Sequence, residues 1–229
     1  TNKGLVSIVS SSDGFSTYET TVVQPSEVAG SDDFGYAVAL EGDMAVVGAP
    51  ATDPGTGVAA GAAYLLERTA PGSWNSVQFL PPSGDEESDG RFGYSVAISG
   101  DTIAVGAPGT GESGSVYLYT RTPGGSLSDA TRISSPDPAQ TTWFANEVEL
   151  YEDYLFVGAP FHAEKKPGGG GVYVFRRQAD GSWKELRTLF PSEPKSDGRF
   201  GARISATWDY LAVGHNTGVS EVEAVYVFE

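Results

Sequence analysis

The chain has 229 residues, of which 30 are acidic and 14 are basic, so its formal charge is −16. A surface this acidic should repel phosphate backbones, which argues against nucleic acid as a partner. There is no apolar run long enough to insert into a membrane and no cysteine for a disulfide or a thiolate metal site, while the length suits one domain with a sizeable core.

Two strands are predicted ahead of the first regular unit. GLVSIV at 4–9 is followed by a Ser-Asp-Gly turn, and the segment 17–29 leads towards Phe34. Short apolar runs flanked by turn residues are typical of antiparallel strands.

A strand–turn–strand unit then occurs four times along the sequence. It reads FGYAVALEGDMAVVGAP at 34–50, FGYSVAISGDTIAVGAP at 92–108, FANEVELYEDYLFVGAP at 144–160 and FGARISATWDYLAVGHN at 200–216. In each copy an alternating strand reaches a short turn, such as Gly42-Asp43, and a second strand follows. A repeat period of roughly 50–60 residues indicates a propeller or a solenoid.

Each unit is followed by an aromatic strand and, in the first three copies, by a fourth strand. The aromatic strands lie at 62–69, 115–122, 171–178 and 224–229. We label the four strands of a repeat a, b, c and d. Four short antiparallel strands per repeat form one propeller blade, so we expect an all-β propeller with a single domain over 1–229 and four blades starting near 34, 92, 144 and 200.

Aligned with the later repeats, the two N-terminal strands are predicted to be a strand c and a strand d. The last repeat ends at its strand c, so we expect the N-terminal segment 4–29 to complete the ring, with its strand d closing the last blade. Strand c then occurs five times and the others four times. The surplus strand is displaced at the seam of the ring, belongs to a longer array, or pairs with a neighbouring molecule.

The repeated pattern FG, VAI or VAL, GD, VGAP and G-x-VYVF resembles the FG-GAP repeat of integrin α-subunit propellers. The short Gly-Asp turns are closer to a compact, calcium-free variety found in many secreted and surface proteins. The third copy departs from the pattern at Ala145, and the fourth at His215 and Asn216. The resemblance implies a propeller that binds partners through loops on one rim.

The resemblance implies calcium as the metal to consider, because integrin-type repeats often carry an acidic Ca²⁺-binding loop between strands a and b. Here these links are as short as Glu41-Gly42-Asp43 and offer at most two carboxylates each. Ca²⁺ needs six to eight oxygen ligands. We therefore predict no metal and no cofactor.

The b–c and d–a loops should share one rim, and they are long and rich in acidic residues. Binding residues are often on loops that a rigid scaffold positions, although charged loops are also simply solvated. His162 and His215 are interpreted as occupying matching places after strand b, and Trp143 and Trp208 as exposed aromatic contacts. The candidate binding residues are Asp53, Asp85, Glu86, Glu87, Asp89, Glu112, Trp143, His162, Trp208 and His215.

No nucleophile motif or paired-carboxylate arrangement stands out, so we expect a protein that is not an enzyme. The prediction is a non-catalytic extracellular or cell-surface module for binding or adhesion, whose rim recognises a protein or, alternatively, a glycan. The other hypothesis is a building block that self-assembles into a filament, sheath or surface layer through the spare edge strand.

Overall fold

The computed structural model is built from β-strands joined by turns and loops. It describes residues 4–26, 28–53, 59–80, 90–111, 113–122, 125–138, 141–215 and 224–228. Within these ranges the regular structure is all strand, and no helix could cross a membrane.

The strands form five antiparallel sheets in chain order. A two-strand half-blade is β1 (Val6–Ser10) and β2 (Glu19–Val23). Blade 1 is β3 (Val38–Glu41), β4 (Met44–Ala49), β5 (Ala62–Ala70) and β6 (Ser73–Leu80). Blade 2 is β7 (Ser95–Ser99), β8 (Thr102–Ala107), β9 (Ser115–Thr120) and β10 (Thr131–Ser134). Blade 3 is β11 (Glu147–Tyr151), β12 (Tyr154–Ala159), β13 (Gly171–Arg177) and β14 (Trp183–Leu189). Blade 4 is β15 (Ile204–Ala206), β16 (Leu211–His215) and β17 (Ala224–Phe228).

The blades confirm the predicted repeat of antiparallel strands a to d. Blades 1 to 3 are four-stranded, and each strand pairs with its neighbour in the sequence. Blade 4 has strands a, b and c in the same order. The protein is therefore built from propeller blades, as the period of the sequence indicated.

The prediction that the N-terminal strand d closes the last blade is wrong, as the strand pairing shows. Among the described residues, β2 pairs with β1 and β17 pairs with β16. Ile8 and Val23 of the half-blade pack on Phe34 and Tyr64 of blade 1. Burial of this apolar face holds the two N-terminal strands together as a sheet on blade 1, which leaves β2 away from blade 4.

The turns between strands a and b are two-residue hairpins in blades 1 to 3, whereas four residues, 207–210, connect these strands in blade 4. Glu41 pairs with Met44 and Ser99 with Thr102, so two residues connect each pair of strands. Gly42 and Gly100 have positive φ angles of 57° and 58°. A positive φ in the first turn residue matches the twist of the two strands, and glycine adopts it without a steric penalty.

The hydrophobic core lies between adjacent blades. One face of blade 1 packs on the Phe92 side of blade 2, and the same contact recurs at the following junctions. Each opening Phe meets an aromatic side chain of its own strand c edge to face. The ring pairs are Phe34–Tyr64 at 5.3 Å, Phe92–Tyr117 at 5.2 Å, Phe144–Tyr173 at 5.3 Å and Phe200–Tyr226 at 5.5 Å.

A glycine at the junction between blades 1 and 2 lets the backbones approach closely. A Cβ atom on Gly48 would lie 1.9 Å from the carbonyl oxygen of Gly93. Gly93 itself has a φ of 88°. Glycine in the FG and VGAP segments therefore permits this close approach of the two backbones.

Candidate functional site

The residue that precedes each opening Phe has the same backbone conformation in all four repeats. Its φ angle is 56° at Asp33, 54° at Arg91, 53° at Trp143 and 47° at Arg199. In each repeat its carbonyl accepts a hydrogen bond from the amide three residues later, at 3.0 Å for both Arg91 and Trp143. This turn places the four side chains at equivalent positions, where the d–a loop enters strand a.

Aromatic side chains follow one another across this rim from blade 1 to blade 3. The ring centroids of Tyr36 and Tyr94 are 4.8 Å apart, and those of Tyr94 and Trp143 are 6.2 Å apart. Trp143 in turn meets Phe161 at 5.5 Å. These distances are those of favourable aromatic contacts, so the four rings hold one another in place.

Two arginines lie over rings of this row. The guanidinium carbon of Arg91 is 5.3 Å from the centre of the Trp143 ring, and that of Arg199 is 5.5 Å from the centre of the Phe161 ring. Such cation–π contacts stabilise the positions of the two guanidinium groups over the rings. We call this surface the rim patch: Tyr36, Arg91, Tyr94, Trp143, Phe161 and Arg199.

The polar ends of the two tyrosines are linked to each other. Desolvation of Tyr36, helped by a hydrogen bond with Tyr94, raises the pKa of Tyr36 to about 12. Tyr36 nevertheless keeps 52% of its surface exposed. The rim patch therefore offers a neutral phenol beside two cations, in a protein whose overall charge is strongly negative.

The two tryptophans singled out in the sequence lie on different sides of the molecule. Trp143 belongs to the rim patch, whereas Trp208 is exposed in the β15–β16 turn at the opposite rim. Trp208 and Tyr210 border an open cleft of about 480 Å³ between blades 3 and 4. The structure thus brings only Trp143 together with the other rim aromatics.

The prediction that His162 and His215 are rim contacts in matching places is corrected by their burial. His162 packs on Tyr173 and Phe190, with ring centres 5.7 Å and 5.4 Å away. His215 ends strand β16 and packs on Tyr226 at 5.7 Å. Burial lowers the pKa of both imidazoles, so both are held neutral inside the fold.

The two histidines also occupy different repeat positions. The amide of His162 bonds to the Ala159 carbonyl, as those of Thr52 and Thr110 bond to the equivalent alanines. His162 therefore occupies a turn position and His215 a strand position. The alignment of 144–160 with 200–216 already places His215 opposite Ala159, three residues before His162, and the hydrogen bonds of the b–c loop agree with it.

Of the acidic residues predicted to bind a partner, one lies in the described part of the chain. Asp53 is exposed in the loop after β4. Asp85, Glu86, Glu87, Asp89 and Glu112 lie outside the described residues. Over the described ranges, no three His, Cys, Asp or Glu side chains come together as a metal-binding group would require.

A pair of glutamates on strand β11 was missed in the sequence. Desolvation raises the pKa of Glu147 to about 7, although Arg203 of blade 4 binds its carboxylate at 3.1 Å and opposes the shift. Desolvation also raises the pKa of Glu149, whose carboxylate accepts a hydrogen bond from the Ala206 amide at 3.1 Å. The equivalent residues are Ala37 and Ala39 in blade 1 and Ser95 and Ala97 in blade 2, so the available signal was a pair of charged residues where the first two repeats have small ones.

Comparison with known proteins identifies the repeats. Residues 19–66 and 74–119 match the FG-GAP repeat family. Integrin alpha-3 of Mus musculus is 27% identical over 165 residues, and that of Cricetulus griseus is 26% identical over 164 residues. Each match covers 65% of this chain but only 15% of the integrin subunit.

Among the solved structures that match, the periplasmic gluconolactonase PpgL of Pseudomonas aeruginosa is matched over 99% of this chain and 83% of its own. The TM-score is 0.39 and the sequence identity is 15%. The expectation that the chain is not an enzyme is corrected by this finding, because the matched structure is that of an enzyme. A likeness this distant assigns no reaction to the chain.

Proposed function

We propose that this chain, which carries integrin-like FG-GAP repeats, is an extracellular or cell-surface binding module that recognises a protein partner through the rim patch. The observation that carries the proposal is the row of ring contacts from Tyr36 through Tyr94 and Trp143 to Phe161. The similarity to integrin alpha-3 supports a module of the binding and adhesion type outside the cell.

The composition of the rim patch suits a protein interface. Tryptophan, tyrosine and arginine are the residues that most often dominate binding energy at such interfaces. The rings and guanidinium groups already contact one another before any partner arrives. A prearranged surface loses little side-chain entropy on binding, which favours affinity.

The charge of the rim patch points to the chemistry of the partner. Arg199 is exposed and Arg91 is half-buried, on a chain with a formal charge of −16. The net negative charge of the chain repels acidic partners at long range, while the exposed guanidinium group of Arg199 attracts a carboxylate at short range. A partner with an apolar or aromatic segment next to an acidic residue therefore fits this surface best.

The asymmetry of the rim patch favours a protein over a glycan. Repeated sugar pockets would place the same aromatic residue at the same loop position in every blade. The position of Trp143 is occupied by Asp33, Arg91 and Arg199 in the other repeats. The patch is thus one composite surface spread over neighbouring blades.

The test is binding of fluorescently labelled tetramers of the protein to intact cells. The variants are Tyr36→Ser and Arg199→Ser, and the matched control is Trp208→Ala, which removes an exposed aromatic from the opposite rim. We expect the rim variants to weaken cell binding by about 30-fold, as loss of a strong interface residue does, and the control to leave it unchanged. All variants should keep the thermal midpoint of the parent protein.

Two further treatments separate the classes of partner. Protease treatment of the cells should abolish binding, whereas glycosidase treatment should leave it intact. Binding that is lost with glycosidase alone would replace the protein partner with a glycan. Binding that responds to Trp208→Ala and ignores both rim variants would refute the rim patch as the site.

A further inference from the structure

The b–c loop of blade 3, residues 161–170, holds two members of the rim patch. Phe161 is the first residue of the loop, and the Gly168 carbonyl accepts a hydrogen bond at 3.0 Å from the amide of Arg199. The side chains of Phe161 and Arg199 form a cation–π contact with each other. The conformation of this loop therefore sets the position of both groups.

His162 holds the loop together from the inside. Its side chain is buried, and its backbone carbonyl accepts a hydrogen bond at 3.0 Å from the amide of Gly170 at the far end of the loop. Its Nδ1 atom accepts a second hydrogen bond at 3.2 Å from the amide of Glu164. Because Nδ1 accepts, the proton of the neutral ring is on Nε2. The imidazole can thus make this bond to the loop only in its neutral form.

The surroundings of the imidazole disfavour its protonation. The charged or titratable groups that face it from its own loop and from the elements packed against it are Asp137, Glu164, Lys165 and Tyr173. A carboxylate oxygen of Asp137, in the d–a loop before β11, is 3.9 Å from Nε2, which is beyond hydrogen-bond distance. The carboxylate of Glu164 pairs with Lys165 at 2.6 Å. Burial lowers the pKa of His162 and outweighs the attraction of the two carboxylates.

We propose that protonation of His162 releases the b–c loop of blade 3, and with it Phe161 and Arg199, so that mildly acidic solution weakens binding at the rim patch. This inference rests on the proposed function of that patch. A protonated Nδ1 directs its hydrogen at the Glu164 amide, so an acceptor is lost and two donors face each other. An imidazolium among aromatic rings is also costly, and opening of the loop lets it reach water.

The size of the effect follows from proton linkage. In the open loop His162 regains its ordinary pKa of 6.5, while burial lowers the pKa in the closed loop. The open form therefore binds more protons, and the ratio of closed to open loop falls as pH decreases below 6.5, by at most about tenfold per pH unit. Between about pH 7.5 and pH 5 the ratio should fall by about 30-fold.

Hydrogen exchange measures the loop directly and without a partner. Protection of the Glu164 and Gly170 amides should fall by about 30-fold over this pH range, after correction for the intrinsic pH dependence of exchange. The chain has two histidines, so NMR titration of the imidazole protons distinguishes the midpoint of His162 from that of His215. His162→Asn places an amide oxygen where Nδ1 accepts and cannot be protonated, so protection in this variant should not change with pH.

Binding of the labelled tetramers to cells at about pH 7.5 and pH 5 tests the consequence for the rim patch. The parent should bind roughly 10-fold more weakly in acid, whereas His162→Asn should bind equally well at both pH values. The control is Glu147→Gln, which removes another group whose pKa is about 7. This control should keep the full response to acid.

The two measurements distinguish failure of this inference from failure of the proposed function. Glu164 protection that is independent of pH, or an acid response that persists in His162→Asn, would overturn the inference and leave the rim patch as the site. Protection that falls in acid while binding stays constant would overturn it as well, because the loop would then not control the patch. Failure of the proposed function is recognised separately, as binding at neutral pH that ignores Tyr36→Ser and Arg199→Ser.

Discussion

Glu41, the last residue of β3, accepts a hydrogen bond at 2.6 Å from the backbone amide of Gly100 in the next blade. The same link recurs one repeat later, where the Ser99 hydroxyl accepts a hydrogen bond at 3.1 Å from the amide of Glu152. Two different side chains at one repeat position thus join the a–b turn of one blade to that of the following blade. The link lies outside the apolar core and adds a polar contact to the blade junction.

We expect Glu41→Ala to lower the free energy of unfolding by about 1 kcal/mol, since it removes one acceptor from a partly solvated hydrogen bond. Glu41→Gln retains an acceptor oxygen and should cost much less. Urea unfolding at neutral pH measures both, with Glu193→Ala as an exposed control. Equal effects of all three substitutions would show that the link to Gly100 contributes nothing.

Substitution of Gly48 tests whether the backbones of blades 1 and 2 approach each other closely at their junction. Gly48→Ala puts a methyl group 1.9 Å from the Gly93 carbonyl oxygen, so the blades must move apart. We expect a loss of about 3 kcal/mol or more in the free energy of unfolding. Gly42→Asn is the control, because no atom lies within 4 Å of the added Cβ and Asn tolerates positive φ. A Gly48→Ala protein as stable as the control would contradict the junction geometry.

Val38 and Val148 form a matched pair for the uncovered face of blade 1. They occupy the same repeat position, yet one is exposed and the other is buried. Val148→Ala should cost about 2 kcal/mol because it leaves a cavity, while Val38→Ala should change stability by less than about 0.5 kcal/mol. Urea unfolding measures both losses. Similar losses for both would mean that the face of β3 is covered within a single chain.

Glu147 predicts a pH dependence of stability. Its folded-state pKa of about 7 lies above the ordinary value of 4.5, so between these two pH values the folded protein binds more protons than the unfolded chain. The free energy of unfolding contributed by this group therefore falls as pH rises through that window, by at most about 1.4 kcal/mol per pH unit. Glu147→Gln should make the decline shallower, as measured by urea unfolding at several pH values. An unchanged slope in this variant would assign the decline to other groups.

Much of the fold could be predicted because its signals are local. The alternation around Val96 and Ile98, the Gly100-Asp101 turn and the aromatic strand at Tyr117 each act over a few residues. A strand whose side chains alternate must place one set on the buried face, and a two-residue turn with positive φ must join antiparallel neighbours. Four repetitions of these signals were enough to predict blades and their strand order.

The candidate site was predictable only in part, because it combines residues from different repeats. Trp143 was noticed as an aromatic residue at a position where other repeats have polar ones. Its contacts with Tyr94 and Phe161 depend on how adjacent blades stack, and no spacing along the chain encodes that. His162 and His215 were predicted to be rim contacts, but both are buried among aromatic side chains in the structure.

The sequence by itself therefore determined the repeat, the strands within each blade and the aromatic side chains that fill the core. The tertiary structure alone decided that the half-blade rests on blade 1, which rings meet at the rim, and that Val38 is exposed where Val148 is buried. The physical reason is that identical repeat positions have identical local preferences but different neighbours. Burial depends on the face that arrives from the adjacent blade, and only the three-dimensional stacking of blades specifies that face.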